Sequence, residues 1–318
     1  MPITLEQAKQ LRQDKLTQCV IDEFRKSPLL DMLVFDNTVL PQGGSTLAYS
    51  YNRVTTLPTA ASRAINAEYV PQETVTTQVT VNLKIFGGSF QVDRVIANNQ
   101  KQVVEHIPFQ VAQKSAATRA LFADLFINGD SGLVPTDFDG IDKAVTGSST
   151  EHVPGAAIDL STSENITANF HLFMDTLDKW LATMDGMPSA LMMNRAMLAI
   201  MNGIARRSGY FSTSDVDAFG RPVTKYQGIP LMDLGDKPGT SNPIIATAAA
   251  TGETAIYAAR FALDGVHGVS PSGSDLVNVY LPDMTASGAV KTGEVEMVAA
   301  VALKATRAAG VLRKIKIA

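Results

Sequence analysis

Two stretches of alternating apolar and polar residues, joined by a long polar connection, constrain the fold of this chain most. Residues 47–51 and residues 79–85 each alternate in the way that is typical of a β-strand with one covered face. The connection between them reads LPTAASRAINAEYVPQETVT, whereas hairpin loops in compact domains usually have about 2–5 residues. The pattern therefore predicts a two-stranded arm that projects from the body. Because an isolated hairpin is marginal in water, we expect this arm to lie on another surface, and we favour another copy of the chain.

A long helix is predicted after the arm. Gly87-Gly88 is expected to end the second strand, and from Gln100 to about Ile127 apolar residues recur at helical spacing. Pro108 should kink this helix or mark its true start, and Asn128-Gly129-Asp130 is typical of a helix C-terminus. A helix of this length spans roughly 30–40 Å at 1.5 Å per residue, which predicts a spine for the domain.

The remaining chain alternates between helical patterns, short strands and turns. An amphipathic N-terminal helix with a capping box at Thr4 ends before Pro28, and irregular sequence follows up to Gly44. Residues 131–165, rich in Gly, Ser and Pro, are predicted to form loops and turns. Local periodicity predicts further elements: helices over 166–184 and 194–207, short strands around 189–193, 229–234, 254–262 and 276–281, and two closing strands within 294–318.

Composition excludes several classes of function. The chain has 318 residues, 45% of them hydrophobic, which suffices for one large core or for two to three sub-domains. Only 18% are charged and the net charge is −4, which argues against a protein whose affinity comes mainly from clamping phosphates. The single cysteine, Cys19, excludes an intrachain disulfide and a multi-cysteine metal site. With neither a signal peptide nor an apolar run of membrane-spanning length, we expect a soluble cytoplasmic protein.

Motifs for nucleotide binding, nucleophilic catalysis and zinc binding are absent: the sequence contains no P-loop, GxGxxG, GxSxG, HExxH or CxxC. Residues 137–142 resemble a calcium loop weakly, but the closing glutamate is missing, so a turn is favoured. His106 is interpreted as a surface or interface residue of the spine helix, and Cys19 as a small buried hydrophobe. His152 and His267 lie in predicted loops, where a functional role stays open. No catalytic, cofactor-binding or metal-binding residue is predicted.

The C-terminal residues carry five basic side chains and no acidic one, namely Lys304, Arg307, Arg313, Lys314 and Lys316. This pattern suits an electrostatic contact with nucleic acid or with an acidic neighbour. It also suits the solvated face of an edge strand, on which lysine discourages unwanted pairing. We favour the edge strand.

The order of these elements carries a resemblance to a known family. An arm, a long helix that ends in FINGD, the turn GLVPTDFDGI, an α/β segment and a returning C-terminal strand follow one another. Further local resemblance lies in Gly220-Arg221-Pro222-Val223, in YQGIPL at 226–231 and in the ending VALKATRAAGVLRKIKI. Over nearly its whole length the chain is similar to the major capsid proteins of tailed double-stranded DNA bacteriophages, whose fold is shared with encapsulins.

The resemblance implies an α+β fold, the phage major capsid fold, with four parts. These are an N-arm (1–44), an extended β-hairpin loop (45–86), a peripheral domain made of the spine helix segment (87–155) and a C-terminal strand (286–318), and an axial α/β domain (156–285). It also implies a structural protein without an active site or cofactor. Such proteins assemble through pentamers and hexamers into an icosahedral shell that encloses double-stranded phage DNA.

Partners and location are implied in the same way. The main partner is the chain itself, in a homo-oligomeric lattice, and a separate scaffolding protein, a portal and weak non-specific contact with the enclosed double-stranded DNA are also implied, without a membrane. The protein would assemble in the host cytoplasm and belong to the virion capsid. On the arm, Arg53, Arg63, Glu68 and Glu73 are candidates for inter-subunit ion pairs, each worth about 0–1 kcal/mol when exposed.

Two features depart from some members of the family. No lysine occurs between Lys26 and Lys84, so a covalent lysine–asparagine cross-link made from the extended loop is not available in that place. The sequence has no room for a long scaffolding segment before the arm, which implies either a separate scaffold or a processed form of the chain.

Two other functions stay open. An encapsulin, a compartment built on the same fold that packages enzymes rather than a genome, would be indicated by a groove for cargo peptides. A soluble α/β enzyme without a recognisable motif would be indicated by a pocket with convergent titratable groups.

Overall fold

The computed structural model describes residues 28–39, 46–56, 58–93, 103–208, 214–216, 222–271 and 276–318. The predicted N-terminal helix, Cys19 and the Gly220-Arg221 pair lie outside these residues, and so does the side chain of His106. No helix in the described part of the chain is both long enough and apolar enough to cross a membrane.

Five α-helices, one short 3₁₀-helix (Thr306–Ala308) and fifteen strands are assigned within the described ranges. The helices are α1 (Pro28–Met32), α2 (Val103–Asn128), α3 (Ile141–Val145), α4 (Ser163–Leu181) and α5 (Arg195–Arg207). The strands are β1 (Phe35–Asn37), β2 (Ala48–Val54), β3 (Thr76–Asn82), β4 (Lys84–Asp93), β5 (Glu151–His152), β6 (Ile158–Asp159), β7 (Ala190–Met193), β8 (Ser214–Val216), β9 (Pro222–Tyr226), β10 (Ile229–Asp233), β11 (Glu253–Ala259), β12 (Val266–Ser270), β13 (Val277–Tyr280), β14 (Val290–Leu303) and β15 (Ala309–Lys316).

The first sheet has five strands and is organised around β14. This strand pairs antiparallel with β4 along residues 290–299, with β13 and with β12, and β1 pairs parallel with β12. In the first part of β14 alternate residues are buried, and over its last five positions every residue is buried. The first part of β14 therefore has one face covered by the core and one face open to solvent, and its last part is buried on both faces.

The spine helix α2 packs on this sheet through phenylalanine side chains. The ring centroid of Phe122 lies 6.1 Å from that of Phe86 on β4, 5.8 Å from that of Phe138 and 6.3 Å from that of Phe126. Phe122 and Phe126 are fully buried. The predicted spine is confirmed, and Pro108 lies inside the helix rather than at its start.

Close backbone contacts require glycine at two places. A Cβ atom on Gly87 would collide with the carbonyl oxygen of Val295 on β14. The prediction that Gly87-Gly88 ends a strand is therefore wrong: both residues lie inside β4, where the missing side chain lets two strands approach. After α2, the amide of Gly140 donates to the carbonyl of Gly129 at 2.8 Å, and a Cβ on either glycine would meet backbone atoms. These two glycines close the turn that follows the spine.

The second sheet has eight strands in the order β5-β15-β11-β7-β10-β9-β8, with β6 also paired to β15. Helices α4 and α5 contribute its apolar cover, which includes the buried side chains of Trp180 and Met197. Both helices start at side-chain caps, because Thr162 accepts from the amide of Asn165 and Asn194 accepts from the amide of Met197. The predicted helices over 166–184 and 194–207 are confirmed to within a few residues, and so are the four predicted short strands.

Three predictions of irregular structure are wrong. Residues 28–37 contain α1 and β1, because Leu29, Leu30 and Leu33 are buried in the core beside the five-stranded sheet. Residues 131–165 contain α3, β5 and β6 besides their turns. His152 and His267 lie in strands β5 and β12, respectively, rather than in loops. Every residue of β12 is buried, so its sequence shows no alternation that would have revealed a strand.

The last strand, β15, is not the solvated edge strand that its basic residues suggested. It pairs with β11 on one side and with β5 and β6 on the other. Arg313 forms ion pairs with Glu151 at 2.5 Å and Asp142 at 2.7 Å, and Lys316 lies 3.5 Å from Asp159. These basic side chains therefore have acidic partners in their own chain. Because β14 and β15 belong to different sheets, residues 286–318 contribute to both, and the predicted domain boundaries stay a prediction.

The ion pair between Arg313 and Glu151 yields a stability prediction. The backbone amide of Gly147 and the Arg313 guanidinium together outweigh burial and hold the pKa of Glu151 below its ordinary 4.5. A carboxyl whose pKa is lowered in the folded state contributes its full stabilisation when the pH is above its ordinary pKa. This contribution is lost as the pH falls through the lowered pKa. We expect Glu151→Gln to lower the free energy of unfolding by about 1–3 kcal/mol at neutral pH, measured by urea denaturation.

The control is Glu294→Gln, on an exposed position of β14, which should change stability by less than about 0.5 kcal/mol. The difference between wild type and Glu151→Gln should shrink as the pH falls below about 4.5. A difference that is constant with pH would contradict the assignment of a stabilising carboxylate at this position.

Candidate functional site at the arm

The acidic stretch after the spine forms a structural turn, as predicted. Lys143 lies 2.6 Å from Asp130 and 2.8 Å from Asp139, and Asp139 also accepts from the amide of Ser131. Asp142 is directed elsewhere, to Arg313 and to the hydroxyl of Tyr257. Among the described residues, no group of three or more His, Cys, Asp or Glu side chains is arranged to hold a metal ion. The carboxylates of this stretch therefore hold the turn and α3 in place.

The predicted arm is confirmed as a separate two-stranded sheet. β2 and β3 pair antiparallel in a continuous ladder in which Tyr51 is opposite Val79. Every described residue from 54 to 78 is exposed. The connection does not fold back into the core of its own subunit, so the outer part of the arm presents its surface to water. We call residues 58–75 the arm tip.

Large apolar side chains lie at the arm tip without cover. Ile65 is 91% exposed, Val70 82% and Tyr69 62%. All three lie within six residues of one segment, and contiguous exposed apolar surface is typical of interaction sites. The arm tip therefore exposes apolar side chains that its own chain does not cover.

The arm tip also contains three of the four charged residues predicted for inter-subunit contacts. The Arg63 guanidinium lies 5.5 Å from the centroid of the Tyr69 ring and donates to the carbonyl of Ala67 at 3.1 Å. Glu68 and Glu73 are exposed on the same segment. Arg63 thus helps to shape the arm tip, and a role of these three residues between subunits stays a prediction.

The fourth predicted contact, Arg53, is bound to its own chain at the other end of the arm. Its guanidinium donates to the backbone carbonyls of Leu303 and Lys304, the latter at 3.1 Å, and to the hydroxyl of Tyr51 at 3.2 Å. The Tyr51 hydroxyl itself donates to the Leu303 carbonyl at 2.6 Å. Arg53 therefore fixes the arm to the end of β14, a role that the sequence did not reveal because its acceptors are distant backbone atoms.

A third side chain of β2, Tyr49, completes this attachment. Its hydroxyl donates to Asp36 on β1 at 2.7 Å, and the Lys304 ammonium lies 5.2 Å from the centroid of its ring. Burial, and then the hydrogen bond to Asp36, raise the pKa of Tyr49, so its hydroxyl stays a donor. We call Tyr49, Tyr51 and Arg53, with their partners on the five-stranded sheet, the arm base.

His267 lies under the arm base and is fully buried. Its ring centroid is 5.6 Å from that of Tyr49, in an edge-on arrangement. Neither ring nitrogen makes a hydrogen bond of ordinary geometry with the described residues, and the backbone of Gly265 only weakly favours the charged form of the ring. Burial, with the nearby positive charge of Lys304, lowers the pKa of His267 to about 4. The ring is therefore neutral at physiological pH.

A cleft of about 290 Å³ separates the arm from the turn that follows the spine. Its lining includes Val79 and Val81 from the arm, Phe138 and Ile141 from the turn region, and Leu303 from β14. Lys84, at the start of β4, reaches across to the carbonyl of Pro135 at 2.6 Å. The arm thus leaves the body between the end of β14 and this turn.

Comparisons with known proteins were made by sequence and by structure. No model of a protein family matches the sequence, and no curated protein matches it. Solved structures do match. The holo-SrpI encapsulin complex from Synechococcus elongatus PCC 7942 has a TM-score of 0.59 at 15% identity, with 92% of this chain and 88% of that chain covered.

Two other solved structures are similar to the same extent. The capsid of a native GTA particle has a TM-score of 0.57 at 14% identity and covers 91% of this chain and 90% of its own. A chain of Gordonia phage Cozz has a TM-score of 0.55 at 14% identity, with 92% and 86% covered. At such identities the likeness shows the fold alone. Together with the projecting arm and the spine helix, it establishes that the protein has the α+β capsid fold found in tailed-phage capsids and encapsulins.

Proposed function

We propose that this protein is the structural subunit of an icosahedral shell, assembled from pentamers and hexamers of the chain, which encloses double-stranded phage DNA in a virion. The observation that carries the proposal is the arm: its base is held by the body and its tip is exposed throughout. The likeness to a GTA capsid and to a phage structure supports a shell. On this proposal the protein acts by binding copies of itself rather than by catalysis.

The geometry of the arm favours a repeated contact between copies. The arm tip and the surface that it would cover are different parts of the chain, so the contact is head-to-tail, and such contacts generate rings when the rotation closes. Burial of a large apolar side chain stabilises a contact by about 1.5–3 kcal/mol. Ile65, Tyr69 and Val70 offer three such side chains per copy, to which ion pairs of Arg63, Glu68 and Glu73 would add a little.

We further propose a separate scaffolding protein and a portal as partners, and weak, non-specific contact with DNA. The charge distribution supports weak contact, since Arg313 and Lys316 are paired with acidic residues of their own chain. The overall charge of −4 has the same sign as DNA. A shell that holds DNA without binding it tightly needs few free cations on its surface.

An encapsulin function is the second candidate, because the encapsulin complex matches as well as the phage-type structures do. The two functions differ in content, since one shell encloses a genome and the other an enzyme. The fold is common to both, so the content must be measured. The third candidate function is a soluble enzyme. The described residues contain no cluster of side chains that could hold a metal ion in support of it.

The first prediction of this proposal is assembly of the chain on its own. Size-exclusion chromatography and electron microscopy of the expressed protein should show closed shells or curved sheets, and nucleic acid extracted from them would favour the phage shell over the encapsulin. A protein that stays monomeric at high concentration, and whose residues 58–75 resist proteolysis, would contradict the proposal, because a resistant segment would not be a free arm.

The second prediction concerns the arm tip. Ile65→Asp combined with Val70→Asp should raise the concentration needed for assembly by at least about tenfold, since the loss of roughly 1.4 kcal/mol per contact corresponds to that factor. The melting temperature should not change, because both side chains are exposed. The matched control is Ile65→Leu with Val70→Ile, which keeps the surface apolar and should assemble like wild type. Normal assembly of the double aspartate variant would exclude the arm tip as the docking surface.

The third prediction concerns the arm base. Arg53→Ala removes two hydrogen bonds to backbone carbonyls at the end of β14 and should accelerate amide hydrogen exchange in β2 and β3 by about 5- to 150-fold, as expected for a loss of roughly 1–3 kcal/mol. Arg63→Ala is the control, because Arg63 lies at the arm tip and does not touch the body. All proteins are compared in the same assembly state. Equal exchange in the two variants would show that Arg53 does not hold the arm.

A further inference from the structure

The arm covers one face of the five-stranded sheet at the position of His267. In the strand register, His267 is opposite Ala302 of β14, and its neighbour Val269 is opposite Asp36 of β1. Paired residues and alternate residues of a strand point to the same face, so Asp36 and His267 share a face. Strand β2 lies on that face, with Tyr49 bonded to Asp36 and packed edge-on against His267. Tyr49 therefore covers the imidazole on this face of the sheet.

The surroundings of His267 suit a neutral ring and oppose a charged one. The Lys304 ammonium repels a second cation, and burial removes water from both ring nitrogens. The Asp36 carboxylate attracts an imidazolium but already accepts hydrogen bonds from the Tyr49 hydroxyl and from the amide of Asn37. The Gly265 carbonyl adds a weak attraction. The remaining polar groups of β2 at this place, Tyr51 and Arg53, are directed to the carbonyls at the end of β14.

We propose that His267 is an acid-sensitive switch for the arm: protonation of its ring is incompatible with the closed arm base and releases β2 from the five-stranded sheet. The switch itself is a property of the single chain. Its consequence, that acid changes how the arm meets the next copy in a shell, rests on the function proposed above.

The sign of the effect follows from the two states of the ring. In the closed arm base the pKa of His267 is about 4, against an ordinary value of 6.5 for a ring in water. Because its pKa is lowered in the closed state, His267 stabilises that state to its full extent when the pH is above the ordinary pKa of 6.5. Below about pH 6.5 the open state takes up a proton, and each further pH unit, down to about pH 4, raises the ratio of open to closed arms about tenfold.

Release of the arm base has a local consequence that can be measured. A two-stranded hairpin without a supporting surface is marginal in water, so the amides of the β2–β3 ladder lose protection when the arm leaves the sheet. The strands β7 and β11 lie in the other sheet and should keep their protection. Acid opening of the arm is thus distinguishable from acid unfolding of the whole chain.

Amide hydrogen exchange between about pH 7.5 and about pH 4.5, corrected for the intrinsic rate, tests this proposal. In wild type, protection in β2 and β3 should be constant down to about pH 6.5 and then fall about tenfold per unit, while β7 and β11 stay protected. In His267→Gln, which cannot take up the proton, the protection of β2 and β3 should not depend on pH. His171→Gln is the matched control, because His171 is exposed on α4, and it should behave like wild type.

Two results would overturn the switch: protection of β2 and β3 in wild type that does not change with pH, or the same pH dependence in wild type and His267→Gln. If His267→Gln does not fold, His267→Leu replaces it, since an apolar side chain suits a site with no hydrogen-bond partner. The measurement follows the arm within each chain. A protein whose arm opens with acid but which never forms shells would refute the proposed function and leave the switch intact, and shells with a pH-independent arm would do the opposite.

Discussion

The attachment of the arm to the end of β14 is the interaction on which the rest of the structure depends. β14 joins β4, β12 and β13 into one sheet, and its last residues are buried on both faces. Backbone carbonyls where a strand ends need hydrogen-bond donors, and here the side chains of Tyr51 and Arg53 supply them. The buried end of β14 thereby determines where the exposed arm begins.

A fixed base and an uncovered tip together make the arm useful for assembly. Ordering a flexible segment on binding costs about 0.5–1.5 kcal/mol for each immobilised side chain. An arm that is already positioned by Tyr49, Tyr51 and Arg53 avoids part of this cost, and the cation–π contact of Arg63 with Tyr69 orders the tip further. The apolar residues of the tip can then be buried on a second copy with little loss of conformational freedom. The hydrogen bonds at the arm base and the exposed apolar residues at the arm tip therefore serve the same contact between copies.

The arm, the spine and most of the second sheet could be predicted from the sequence because their patterns are local. Alternation predicted β2 and the second half of β3, although the predicted strand continued to Ile85, which lies in β4. Helical spacing predicted α2, and the long polar connection indicated a projecting arm. Glycine at 87 was misinterpreted because only the neighbouring strand, far along the chain, explains the missing side chain. Strand β12 was missed because burial on both faces removes alternation.

The roles of the arm-base residues could not be predicted from the sequence for the same reason. Arg53 was selected as a charged residue of the arm, but its acceptors are carbonyls, which no sequence pattern displays. His267 was considered because it is a histidine, yet its meaning comes from what surrounds it: a covering tyrosine, a nearby lysine and an occupied carboxylate. Local patterns predict elements, whereas side chains that act between elements become visible only when distant segments meet.

Low identity to structures of the same fold gives these contacts particular weight. At about 15% identity over more than nine-tenths of the chain, the fold is kept by the placement of apolar residues, and cores tolerate extensive exchange of apolar residues when volume and pattern are preserved. Specific polar contacts are not interchangeable in this way, because a buried donor or acceptor that loses its partner costs about 1–3 kcal/mol. This chain can therefore differ from others of its fold in how firmly its arm is held, through the Tyr49–Asp36 hydrogen bond and the hydrogen bonds of Arg53 to the end of β14. It can also differ in the pH at which the arm is held, through the buried ring of His267.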